Sequence, residues 1–503
     1  MMRRQSFLKL FSLLSAIAVM LSIVSCNSDG NGHDPGNTDD IPVESSASGN
    51  STENADSLPY GLDFGGEKIR ILTYEKDSLW GDELSVEELN NEVVNDSVFL
   101  REMYAEDRLN VEIETVKSSN YEEDINKSQN SGDDTFQILS GATVSFSDFI
   151  FKRYLNDLYD IEYLDFSSPW WYEGFTSEAE INGHLFIASG SLSLSMTRFI
   201  FAVFYNKNLA ESNANGQLSD LSDLYGIVHR GEWTFDRFCK LGGELYNDLN
   251  GNDLMDGEDF YGIGTINGIA MDTIYSSFDI SILEKDPDEW FVLSVDKEKL
   301  YSAFDMMYRL MYETKGCFLP GSSDESLIDL QKMFAGGALV FMVNKIHSIE
   351  SHDLRNMSDD YGILPFPKYD ENQKEYHSYA HDQYLSFGIP STVSDTACTG
   401  AVLECLSEYS YRNTMPAYLN VALKGKYMSD AQSREMIDLI VNGLVIDSAW
   451  IYCHTFGGNF GWNFRDLLCQ NRSRAYEPLF TDKEREIKRV IKTYHVGMAD
   501  YFG

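Results

Sequence analysis

The stretch from residue 66 onward dictates the class of fold. Ile69, Arg70, Ile71, Leu72 and Thr73 form a β-prone run. Val94, Val98, Ala105 and Leu109 then recur at helical spacing, interrupted by Arg101. Val111, Ile113 and Thr115 follow, alternating with Glu112 and Glu114. The apolar period thus runs from 2 to about 3.6 and back to 2. A strand, a helix and a second strand in this order make a crossover, which sets the two strands parallel. Residues 136–139, 199–205 and 338–343 read as further strands. The last third is mainly helical. Ser429-Asp430-Ala431-Gln432 and Thr481-Asp482-Lys483-Glu484 match a capping box, each opening a segment of helical period. No repeat of roughly 20–50 residues is visible, which argues against a solenoid.

Composition narrows the function. The 503 residues carry 39 Lys+Arg against 80 Asp+Glu, a net charge of −41. Phosphate binding needs clustered cations, so a nucleic-acid partner is excluded, and charge-driven docking on an anionic membrane is disfavoured. With 43% hydrophobic residues the chain has ample material for packed cores. Its length suggests about two to four domains.

The N-terminus reads as an address. Arg3, Arg4 and Lys9 precede an uncharged stretch from Leu10 to Val24. That is short for a spanning helix, which needs about 20 apolar residues, and suits a signal peptide. It ends Ile23-Val24-Ser25-Cys26, which resembles a bacterial lipobox. The resemblance implies cleavage after residue 25 and lipidation of Cys26. Residues 26–58 form an acidic, Gly/Ser/Asn-rich tether with too little apolar surface to fold. Such a tether has an r.m.s. span of roughly 30 Å. The body is therefore expected outside the cell, held to the membrane only by lipid. Its six cysteines, Cys239, Cys317, Cys398, Cys405, Cys453 and Cys469, include no CxxC pair. Most read as small buried hydrophobes.

Four stretches carry a resemblance. They are Phe204-Tyr205-Asn206-Lys207-Asn208-Leu209, Gly231-Glu232-Trp233-Thr234-Phe235-Asp236, Met333-Phe334-Ala335-Gly336-Gly337-Ala338-Leu339-Val340-Phe341, and Tyr361-Gly362-Ile363-Leu364-Pro365-Phe366-Pro367-Lys368. In this order, behind a lipobox and tether, they resemble the extracellular solute-binding proteins of ABC importers, the sugar-binding family 1 group. The second lacks the proline usual there. The resemblance implies an α/β, two-lobed periplasmic-binding-protein fold (type II-like) with a helix-rich C-terminal third. It implies crossings between lobes near 187–200, 340 and 410. Lobe I is then expected over 59–190 plus 343–412, and lobe II over 191–342 plus 413–503.

A calcium-loop candidate lies between residues 248 and 259. Oxygen-bearing side chains occupy positions 1, 3, 5, 9 and 12 of an EF-hand-like spacing: Asp248, Asn250, Asn252, Asp256 and Asp259, with the Leu254 carbonyl at position 7. Position 6 is Asp253 where a sharp turn favours glycine, and position 12 is Asp rather than the longer Glu. The competing reading is a polar turn built from Asx turns without an ion. A bound ion would be structural.

Sugar sites set flat aromatic faces against apolar C–H patches, ringed by hydrogen-bonding side chains. Trp462, in a Gly-rich loop that runs into a helix, resembles in position the C-terminal aromatic cluster of maltodextrin-type binding proteins. Trp170 and Trp171 follow Pro169 in a loop. Asp382 and Tyr384 precede a strand, where a carboxylate can accept two hydroxyls. Tyr74 and Trp80 follow the first strand, whose carboxyl end opens on a cleft in such folds. Arg198 sits at the first expected crossing, suited to hold a ligand or steady a hinge. Each aromatic has a core reading beside the functional one, and Trp233 is assigned to the core outright.

Enzyme readings rank lower. No HExxH, GxSxG or Walker A run occurs, and His377 and His381 flank a segment read as loop and strand. The expected function is capture of a mono- or oligosaccharide for import, by a monomer that docks on permease subunits. The alternatives are a binder of a peptide or other polar solute, or a glycan-capture surface lipoprotein without a transporter. The last would need all-helical repeats.

Overall fold

A computed structural model describes residues 56–75, 82–287, 290–321, 323–427, 430–455 and 460–502. In chain order its strands are β1 (Glu67–Tyr74), β2 (Val111–Ser118), β3 (Ile138–Ala142), β4 (Phe201–Asn206), β5 (Tyr246–Asn247), β6 (Phe260–Gly264), β7 (Leu283–Lys285), β8 (Phe291–Leu293), β9 (Cys317–Phe318), β10 (Leu339–Lys345), β11 (Tyr361–Leu364) and β12 (Leu385–Gly388). They form two main sheets, in the orders β12-β3-β1-β2 and β11-β4-β10-β6-β5 with β9 beside β6, and a β7-β8 hairpin.

The opening crossover is as its periodicity predicts. β1 and β2 run parallel over their full length, joined by α1 (Val93–Leu109). Ser97, Val98, Arg101, Ala105 and Leu109 of α1 are buried. Arg101 therefore does not interrupt the inward face. Its guanidinium donates to the carbonyls of Glu83 and Leu84 and to Ser410 Oγ, which satisfies a buried charge with acceptors from two other segments.

The second sheet is buried through its middle. Every residue of β4 and of β10 is inaccessible, as in a central strand covered on both faces. Asn206 closes β4 and caps the following helix by accepting from Leu209 N. Thr234 caps α2 (Phe235–Gly243) in the same manner, and Trp233 beside it is fully buried, its indole donating to the Pro365 carbonyl. Five of the six body cysteines are buried, Cys239 is half-buried, and all six are free.

The chain passes between the sheets along two paired segments. Ala188 bridges Phe387 on the β12 side, and Ile200 bridges Ala380 on the β4 side, both antiparallel. One segment runs toward β4 and its partner returns to β12. The return crossing therefore lies after β11, not near 340, because β10 pairs with β4 and β6 inside the second sheet. The stretch 343–412 accordingly contributes β11 to the second sheet and β12 to the first. A further passage follows α3 (Thr396–Tyr409), which packs on α1, through π-helical turns to α4 (Ala431–Asn442), which packs on β11.

The C-terminal third is helical, through α5 (Phe460–Cys469) and α6 (Tyr476–Phe502). Asp430 caps α4, accepting from Ser433 N. Thr481 opens no helix. It lies inside α6 and its hydroxyl donates back to the Glu477 carbonyl, the local bond such residues make within helices. No helix among the described residues is long and apolar enough to cross a membrane.

Candidate functional site

Four segments converge: the turn after β6, the crossing that enters β12, the stretch from Trp450 to Thr455, and α5. Asp272, at the end of a short turn that packs on α5, is buried, and Arg465 Nη1 of α5 contacts its Oδ2. Asp382 is buried beside this pair. Burial pushes the Asp272 carboxyl up to about 7 against the pull of Arg465, with Asp382 adding repulsion. Burial pushes Asp382 up to about 6, opposed by Arg465, the Trp462 indole and Lys345. Two buried carboxylates and a half-buried guanidinium are thus gathered, where each is sensitive to its partners.

Aromatic rings surround the charges. Trp450 meets Tyr275 at 5.4 Å and Tyr379 at 5.5 Å between ring centroids. The Arg465 guanidinium lies 5.5 Å over Trp462, and His454 packs edge-on to the same indole at 5.2 Å. Gly461 makes room for this arrangement, since a Cβ there would stand 2.3 Å from the Trp450 ring. Folded proteins pair nearly all their buried polar groups. Here Asp272 Oδ1, Tyr275 OH, Tyr379 OH, Trp450 Nε1 and Trp462 Nε1 are buried without a hydrogen-bond partner. Trp462 stands close enough to hold Asp382 down, but its Nε1 closes no well-formed bond. Thr273, Ser276, Ser277 and Thr455 present unpaired hydroxyls in the same segments. Such a set can hydrogen-bond a polar guest on several sides and face it with flat rings.

No protein-family model matches the chain, and no curated protein matches it. Solved structures do. The GacH receptor of Streptomyces glaucescens, solved unliganded and with acarbose, superposes with a TM-score of 0.52 at 11% identity, over 85% of this chain and 99% of its own. The galacto-N-biose-/lacto-N-biose I-binding protein of an ABC transporter from Bifidobacterium longum gives 0.55 at 10% identity, over 86% and 98%. UgpB from Mycobacterium tuberculosis, in complex with glycerophosphocholine, gives 0.52 at 12% identity, over 85% and 99%. The chain has the fold of ABC-transporter solute-binding proteins. It is the two-lobed periplasmic-binding-protein arrangement, with the C-terminal helices completing it.

Within this solute-binding fold the structure sorts the residues singled out by sequence. Trp462 and Asp382 come together in the cluster. Tyr384 borders it, buried, with Asp382 among the charges that raise its phenol after burial itself. Its carbonyl accepts from Thr143 N and Oγ1. Trp170 and Trp171 lie elsewhere, buried against α3, where the Trp171 indole donates to Glu404 at 3.0 Å. Tyr74 ends β1, stacked on Tyr121 at 4.1 Å, its hydroxyl donating to Glu122 and hydrogen-bonded also to the Ser145 hydroxyl. Arg198 braces the crossing through two bonds to Glu350, whose carboxylate also accepts from Tyr418 OH. Trp80 and Cys26 lie outside the described residues.

Sequence reasoning missed Asp272, Tyr275, Tyr379, Trp450 and Arg465. One signal was present for Arg465: it stands three residues after Trp462, on the same face of a helix.

The loop at 248–259 is held by its own backbone. Asp248 accepts from Gly251 N and Asp253 N, Asn250 from Asn252 N, Asn252 from Leu254 N, and Asp256 from Glu258 N. Asp259 is fully buried and accepts from Leu249 N, Asp256 N and Tyr246 OH. Asp253 takes a positive φ of 60°, the conformation for which position 6 favours glycine. Among the described residues no group of three or more His, Cys, Asp or Glu side chains converges as a metal site.

Proposed function

We propose that this protein is the extracytoplasmic substrate-binding component of an ABC importer, anchored through lipidated Cys26. It captures a mono- or oligosaccharide between its lobes, closes by a hinge motion and presents the closed form to permease subunits. It catalyses no reaction. The observation that supports this reading best is the concentration of buried, unpaired hydroxyl, indole and carboxylate groups between Trp450, Trp462, Tyr275 and Tyr379. A ligand that binds only the folded state must raise its melting temperature. The test is a thermal-shift panel on the full chain with acarbose, lacto-N-biose, maltotetraose and simple hexoses, with peptides as controls. At least one sugar is expected to raise the melting temperature, and Trp462→Ala is expected to remove that response. Stabilisation by peptides alone would replace the sugar reading with the peptide one.

A second reading is import of another polar solute. It is favoured by the glycerophosphocholine held by the similar mycobacterial protein. Glycerophosphocholine therefore belongs in the panel. We also propose a structural calcium ion in the loop of Asp248, Asn250, Asn252, Leu254, Asp256 and Asp259, supported by the spacing of their oxygens.

A further inference from the structure

Resting on the sugar-binding reading above, we infer that the site is built for an uncharged, hydroxyl-rich ligand and against an acidic one, with Asp382 and Asp272 as the discriminating residues. The groups facing the cluster come from every side. α5 supplies Arg465 and Asp466. The turn after β6 supplies Asp272 and Tyr275. The crossing supplies Tyr379, His381, Asp382 and Tyr384, and β10 supplies Lys345 with His347 behind it. Asp447, which accepts from the Ile282 and Ala449 amides, adds a more distant negative charge, and Cys453 and Cys469 complete the surroundings as buried thiols.

Neither cation is at liberty. Arg465 is in contact with Asp272, and Lys345, fully buried over the Phe199 ring, is itself engaged. His381 is held neutral, its pKa driven well down by burial and by the nearby cations. A sugar carboxylate or phosphate placed here would be stripped of water beside two carboxylates, with no unengaged cation among these groups to receive it. At Trp462 a cationic ligand finds the ring face taken, because Arg465 already lies across it at 5.5 Å. Hydroxyls meet the opposite situation. Asp272 Oδ1 accepts, the Trp450 and Trp462 indoles donate, and the Tyr275 and Tyr379 hydroxyls do either.

The experiment uses the full chain at pH 7.5 and matched pairs: glucose with glucuronate, galactose with galacturonate, and maltotetraose and lacto-N-biose as larger neutral probes. Thermal shift ranks them and calorimetry gives affinities. A neutral sugar is expected to bind, with its acid counterpart at least about tenfold weaker. Asp382→Asn is expected to narrow that gap by improving the acid. Asp272→Asn, which releases Arg465 from its partner, is expected to narrow it further. Circular dichroism and melting of each variant verify that it folds, and the second variant serves if the first does not. An acid that binds the wild type as tightly as its neutral partner overturns the inference while leaving sugar binding intact. So does an unchanged gap in both folded variants. If no sugar, neutral or acidic, shifts the melting temperature, the sugar-binding reading fails and this inference falls with it. Binding of glycerophosphocholine alone, a phosphodiester, overturns both.

Discussion

The calcium-loop candidate and the Asp272–Asp382–Arg465 cluster are both acidic, yet they are opposites in construction. In the loop, twelve consecutive residues hold one another, and the side-chain oxygens of Asp248, Asn250, Asn252, Asp256 and Asp259 all accept hydrogen bonds from within the loop or from Tyr246. In the cluster, residues up to 193 positions apart meet out of water, and several polar atoms have no partner. A satisfied group has little to offer a ligand. An unsatisfied buried group costs about 1–3 kcal/mol until something pairs with it. Spacing in sequence therefore marks the first kind of site, and only the fold reveals the second.

Acidity separates the two regions most strongly. Burial raises Asp272 and Asp447 from 3.8 to about 7, Asp382 to about 6, and Glu83 and Glu404 from 4.5 to about 7. A carboxyl raised in the folded state contributes its full stability below its unfolded value, and loses it as pH rises through the folded one. The melting temperature of the full chain is therefore expected to fall between pH 7 and pH 8, above the range in which His347 and His381, held neutral by burial, act in the opposite direction. Each tenfold change in a group's acidity is worth about 1.4 kcal/mol, so the five together outweigh any single substitution. Asp447→Asn should flatten the slope. In the loop, hydrogen bonds from Asn252 and the Glu258 amide lower Asp256, so its contribution is lost only as pH falls below the ordinary carboxylate range. A melting temperature flat or rising from pH 7 to 8 would show that the buried acids are better paired than their surroundings indicate.

Arg465→Leu comes next. It leaves Asp272 buried without its cation, and breaking a buried pair in this way costs about 3–5 kcal/mol. Denaturant unfolding at pH 8 reads the loss. The double variant Arg465→Leu with Asp272→Asn should recover the share owed to Asp272, with Asp382 still lacking its nearby cation. No recovery would mean that Arg465 acts through packing on Trp462 rather than through charge.

How much of this was legible follows from the same contrast. The β1-α1-β2 crossover was readable because its periods are local, and Trp233 and the buried cysteines because their types favour a core. Trp462 and Asp382 were readable as residue types suited to a sugar. Trp170 and Trp171 had the same types and went to the packing around Glu404, since a tryptophan's sequence neighbourhood does not record which carboxylate it will meet. The crossing expected near 340 moved past β11 because a strand that opens with five apolar residues, as β10 does, is equally suited to the middle of either sheet. Asp272 and Tyr379 carried no local signal at all. Their role exists only where distant segments meet.

The smallest expected effects lie in the loop, and they discriminate between its two readings. Asp259→Ala removes a buried acceptor and strands the Leu249 and Asp256 amides and the Tyr246 hydroxyl, a loss of about 1–3 kcal/mol whether or not an ion is present. Asp248→Ala removes an exposed acceptor of two backbone amides, which costs about 1 kcal/mol if turn geometry is its whole role. With a structural ion the two variants part company under chelation. Wild type should then melt lower in the presence of a chelator and recover with added calcium, while Asp248→Ala should melt at one temperature in both conditions. If wild type and Asp248→Ala respond alike to chelator, the loop is a turn held by its own amides. The proposed ion would then be withdrawn, with the sugar site untouched, since no residue of the loop belongs to the Asp272–Arg465 cluster.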